Sequence, residues 1–194
     1  MNGRPKRALG AIALGLCAVG VAVGSGADFS ASSANPDNTF SAGSLTIDNS
    51  MEGAAFLTAS NLKPGGGAQN SVVDIRNSGS LPGDFTLTRN NMFSTHNGAD
   101  GSAPFTAKLW ITVTDCGGFS GTTPPTCGDA NDQIVFNHRS LADMGDPIPL
   151  GRFDPGAKHR FRFTVELDAS ATNTYQGDTA KAQFVWNAVQ APGA

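Results

Sequence analysis

Along much of this chain, hydrophobic side chains fall on every other position. In His159-Arg160-Phe161-Arg162-Phe163-Thr164-Val165-Glu166-Leu167, the apolar residues Phe161, Phe163, Val165 and Leu167 share one side, and Arg160, Arg162, Thr164 and Glu166 share the other. A period of two predicts a strand with one buried and one wet face. Residues 107–114 alternate in the same way, with Leu109, Ile111 and Val113 inward. Phe85 and Leu87, set between Asp84, Thr86 and Thr88, mark a further strand. Val73 with Ile75, Leu45 with Ile47, and Phe184 with Trp186 mark three more, and residues 54–59 and 133–136 are weaker candidates. After residue 27 no long helical period stands out; residues 169–175 have room for one helical turn.

Turn signals separate these runs: Lys63-Pro64-Gly65-Gly66-Gly67, Asn77-Ser78-Gly79-Ser80, Leu81-Pro82-Gly83 and Asp154-Pro155-Gly156. Glycine supplies 24 of 194 residues, well above the usual share of about 7%. Short strands with Gly/Pro turns, and no crossover helices for a parallel sheet, predict an all-β fold. The expected architecture is an antiparallel β-sandwich of jelly-roll type with about eight strands. Residues 90–103, rich in Asn, Gly and Ser, and the stretch from 117 to 132 are expected to be loops.

The N-terminus follows a different logic. Arg4, Lys6 and Arg7 precede sixteen uncharged residues, Ala8 to Val23, which close on Gly24-Ser25-Gly26-Ala27. A basic head, an apolar middle and a small-residue end predict a secretory signal peptide, helical in its apolar part. The apolar run is short of the roughly 20 residues a membrane span needs. Ser25 and Ala27 suit the −3 and −1 positions, so cleavage is expected between Ala27 and Asp28. The predicted division is a signal peptide over 1–27, an N-terminal segment over 28–38 and a sandwich domain over 39–194. The exported part is expected to be secreted or held at the cell surface, with no stable membrane span after cleavage.

Export changes the charge and the cysteines. Loss of three basic residues takes the chain from 13 basic and 16 acidic groups to ten and sixteen, a net of −6. With no Lys/Arg cluster, nucleic acid and anionic lipid surfaces are not expected partners. Cys17 leaves with the signal peptide, and Cys116 and Cys127 remain. Two thiols in an exported chain predict one disulfide, closing a Gly/Ser/Thr/Pro loop over 117–126.

Catalytic patterns are sparse. The chain has no H-E-x-x-H and no G-x-S-x-G. His96, His138 and His159 are scattered along the sequence, with no second ligand at short spacing. Asp129 with Asp132, and Asp143 with Asp146, are carboxylate pairs in Gly-containing loops, but the spacing of a calcium loop is absent. Trp110 and Trp186 are expected in core or sheet-face packing. No catalytic residue, metal ligand or cofactor is predicted from these patterns.

Four short elements carry a resemblance. They are Thr39-Phe40-Ser41-Ala42-Gly43-Ser44-Leu45, Asn61-Leu62-Lys63-Pro64-Gly65, Asn77-Ser78-Gly79-Ser80-Leu81 and Tyr175-Gln176-Gly177. In this order behind an export signal, they resemble the TasA/CalY (camelysin) family of exported bacterial proteins, and the signal resembles those cut by a SipW-type signal peptidase. The resemblance implies a jelly-roll domain and a role as a self-assembling structural subunit of extracellular matrix or biofilm fibres. It implies that the segment freed by cleavage, Asp28-Phe29-Ser30-Ala31-Ser32-Ser33, adds as a strand to a neighbouring copy. Phe29, Ala31 and Ser33 would share one face, and Pro36 would end the strand because it has no N–H to donate. The partners implied are further copies of this chain and, during export, the peptidase. Two other readings stand beside this one: a secreted metallo-endopeptidase, because camelysin-type members are so described, and a monomeric cell-surface binding module using the long loops. The Cys116/Cys127 pair lies outside the matched pattern.

Overall fold

The computed structural model describes residues 43–98 and 101–192. The predicted signal peptide, the Ala27–Asp28 cleavage point, the segment from Asp28 to Ser33, and Thr39 and Phe40 lie outside the described residues.

Eight strands form: β1 (Ile47–Asn49), β2 (Gln69–Asn77), β3 (Gly83–Ser94), β4 (Leu109–Phe119), β5 (Gln133–Ser140), β6 (Ile148–Phe153), β7 (Lys158–Leu167) and β8 (Ala180–Gln190). One sheet has the order β1-β2-β7-β4-β5 and the other β6-β3-β8. Every strand pair is antiparallel. The pairs β2·β7, β3·β6 and β4·β5 are nested like one long hairpin, which is then rolled so that β7 also meets β4. This is the wiring of a jelly roll, and the protein is a β-sandwich. The only α-helix among the described residues is a single turn, Phe105–Lys108, and Asn173–Tyr175 makes the short turn expected near there.

Alternation builds the core. Phe161, Phe163, Val165 and Leu167 of β7 are buried, as are Leu109, Ile111 and Val113 of β4, while their neighbours on β7 stay half-exposed. The opposite sheet supplies Phe85, Leu87, Ile148, Leu150 and Phe153. Phe85 and Phe153 stack at 4.4 Å between centroids, joining β3 to β6. Each such side chain contributes roughly 1.5–3 kcal/mol by leaving water.

Four strand expectations need correction. Residues 54–59 form no strand; the pattern there comes from an extended segment that turns Phe56 onto the core. Residues 90–94, expected as loop, continue β3, because their backbone still pairs with β8 across a bulge at which Asn91 takes φ 46°. β6 was not predicted: Ile148 and Leu150 alternate, but Gly151 at φ 93° puts Phe153 out of step. Pro149 is tolerated there because β6 is an edge strand. β4 also outruns its alternation, pairing with β7 as far as Phe119 across a bulge between Asp115 and Gly118.

The matched motifs have structural duties. Asn77 is fully buried, donating through Nδ2 to Leu81 O (2.8 Å) and Phe153 O (3.0 Å) and accepting from Gly79 N at 3.0 Å. A Cβ on Gly79 would lie 2.3 Å from Ser44 O, so only glycine fits this corner. Cys116 and Cys127 are joined, with Cα atoms 4.9 Å apart. The bridge joins Cys116, at the bulge in β4, to the far end of the 117–126 stretch, whose first three residues belong to β4. Replacing both cysteines by serine is expected to lower the unfolding free energy by about 2–3 kcal/mol through loop-closure entropy. A lower urea midpoint at unchanged slope would show it; an unmoved midpoint would show that the loop is held by its other contacts.

Candidate functional site

The three-stranded sheet stops early. Among the described residues β8 is hydrogen-bonded to β3 alone, so within them its other side is an open edge. None of its residues is fully buried: Ala180, Ala182, Phe184, Trp186 and Ala188 face inward yet remain half-exposed. Beside this edge lies a groove of about 1020 Å³. Its floor is the inner face of the five-stranded sheet, including Leu109, Ile111, Val165 and Leu167, and its far wall is the extended segment from Ala55 to Leu62. Across the described residues, positions 55–61 make no backbone–backbone hydrogen bond. Side chains tether this wall instead: Ser71 Oγ donates to Phe56 O, and Gln69 Nε2 donates to Ser60 O at 2.6 Å. Among the described residues, an apolar floor between two extended backbones that do not pair with each other has the form of a vacant strand position.

The groove is unevenly filled. Phe56 leans over one end, 4.8 Å from Phe163, 5.6 Å from Phe184 and 5.8 Å from Trp186. At the other end β8 lines the groove with Ala180, Lys181 and Ala182, and the two inward-facing positions are alanines. That end is closed by the 172–179 segment, locked to the loop before α1. Tyr175 Oη donates to Ala103 O at 2.8 Å, Thr95 Oγ1 donates to Asp178 Oδ1 at 2.9 Å, and His96 packs on Tyr175 at 4.9 Å.

The histidines do not converge. His96 Nδ1 lies 3.3 Å from Asp178 Oδ2, and its Nε2 meets Ser102 Oγ. His138 Nε2 is 3.7 Å from Glu166 and stacks on Trp110 at 4.7 Å. His159 Nδ1 is 2.9 Å from Asp115 Oδ2 and stacks on Phe153. Each histidine thus has its own carboxylate in a different part of the fold. Among the described residues no group of three or more His, Cys, Asp or Glu is placed to hold a metal ion. Asp132 Oδ2 accepts from Gly128 N at 2.6 Å and lies 3.9 Å from Arg162 Nη2 on β7. A second, smaller hollow of about 230 Å³ lies beside β1 and β2 and is lined by charged and polar groups. Its Asp74 is engaged bidentately by Arg160, at 2.7 and 2.9 Å, and that bond raises the Arg160 pKa.

One carboxylate is strongly perturbed. Asp168, just past β7, is lowered from 3.8 to about 2, first because its carboxylate accepts from Ser170 N (2.8 Å) and then through Ser170 Oγ, Trp110 and Lys108. Bonds to the charged form favour it. The unfolded chain therefore takes up this proton near pH 4 and the folded chain only near pH 2. Stability from this group is complete above the higher value and is lost as pH falls through the lower one. Acid titration of the unfolding midpoint is expected to fall across that window, and Asp168→Asn to flatten the fall. An identical slope in the variant would refute the assignment.

No protein-family model matches the chain, and no curated protein matches it. The groove was not anticipated from the sequence. The small-small-large-large order of Ala180, Ala182, Phe184 and Trp186 was its only trace there.

Proposed function

We propose that the protein is an exported structural subunit, polymerising when the segment freed by signal cleavage adds as a strand to the next copy. The observation that carries this reading is the open β8 edge flanking an apolar groove. Strand addition draws affinity from main-chain hydrogen bonds and specificity from alternate side-chain pockets, and both are on offer here. Lengths agree: the six residues from Asp28 to Ser33 span about 20 Å as a strand, and the part of β8 lining the groove, residues 180–184, spans about 16 Å. The resemblance of the four sequence elements to the TasA/CalY family supports the same reading, with extracellular matrix or biofilm fibres as the proposed setting. A SipW-type peptidase then controls assembly, because an uncut leader leaves the donor end encumbered. In this account the chain works without catalysis, metal or cofactor.

The test is to recover the protein from culture medium, sequence its N-terminus and image the same sample by electron microscopy. Fibres built from chains that begin at Asp28 are expected. Chains that retain the leader, or trimmed chains that stay unassembled when concentrated, would overturn the reading.

A further inference from the structure

We infer that Phe29 is the anchor of the incoming strand and that its ring fills the hollow over Ala180 and Ala182. This rests on the donor-strand reading above and specifies which side chain the slot selects. The end of the groove beside Phe184 and Trp186 is already covered by Phe56. Ala180 and Ala182 leave the opposite end empty, above an apolar floor that includes Leu109, Leu167 and Tyr175. These floor residues line the groove and are 7–8% exposed.

Among residues 28–38 only Phe29 is large and apolar. Ala31 and Ser33 share its parity and are small, which suits the crowded stretch toward Phe56 and Phe184. The order large, small, small in the donor therefore complements small, small, large on β8. Charge agrees with this register. Asp28, of opposite parity to Phe29, lies on the outer side of the sheet, where exposed Lys181 stands between Ala180 and Ala182. Aromatic anchors seated in desolvated pockets dominate interfaces of this kind.

The experiment compares the secreted full chain with Phe29→Ala, Ala182→Phe and the double variant, following the critical concentration for fibre formation by sedimentation. N-terminal sequencing confirms cleavage, and tryptophan-fluorescence melts confirm folding; Ala180→Leu replaces Ala182→Phe if the latter fails to fold. Each single change is expected to raise the critical concentration about thirtyfold or more. The double variant should recover much of that loss, because a ring supplied by the acceptor replaces the ring missing from the donor. If both single variants assemble like the parent while a chain lacking residues 28–38 does not, the anchor is wrong and the donor strand stands. If the shortened chain assembles like the parent, the donor-strand reading itself fails.

Discussion

A chain that begins at Thr39 is expected to stay monomeric at concentrations where the chain beginning at Asp28 forms fibres. The physical reason is the state of β8. An isolated edge can recruit another strand, but each main-chain hydrogen bond contributes only about 0.5–1.5 kcal/mol net, against an association cost of several kcal/mol. Without the donor segment, the groove beside Ala180 and Ala182 keeps its apolar floor but has no complementary chain to cover it. The truncated protein should still fold, since the paired strands run from Ile47 to Gln190 and the buried core from Val73 to Ala191. Light scattering and sedimentation of the two chains check this. Equal assembly by both would mean that polymerisation, if it occurs, uses another surface.

The second large effect concerns the fold itself. Phe163→Ala is expected to cost about 3–5 kcal/mol. Phe163 is 0% exposed and lies under Phe56 and Phe184, with ring centroids at 4.8 and 4.9 Å. The cavity would open beneath the covered end of the groove, so Phe56 would lose its main support. A fall in Tm of about 10 °C or more is expected at this chain length. A loss below about 1 kcal/mol would show that the 54–62 segment collapses into the space. Assembly should weaken in the same variant, because the wall that flanks the incoming strand is anchored through Phe56.

Where burial is one-sided and the ladder regular, alternation was enough to place a strand. Residues 161–167 and 109–113 lie in β7 and β4 with the inward faces expected of them. Legibility failed at departures from period two. Gly151 shifts β6 by one step, and the β3 bulge near Asn91 hides a strand inside a polar stretch. Residues 54–59 show the opposite failure: Phe56 packs on the core, and among the described residues positions 55–59 make no backbone–backbone hydrogen bond that would build a strand. The disulfide followed from two thiols in an exported chain, and the geometry joins them. Beyond the order of small and large residues along β8, the groove was not legible, because it depends on β8 pairing on one side only among the described residues, and strand order is a tertiary property. What the sequence did carry was the segment proposed to fill it.

Amide hydrogen exchange, compared between monomer and fibre, tests the central claim most directly. The account predicts that the facing segment 55–61, and those amides of residues 180–184 that point away from β3, exchange freely in the monomer and become protected in the fibre, as a strand is gained between them. Unchanged exchange at both walls of the groove in assembled material, with protection appearing elsewhere, would contradict it.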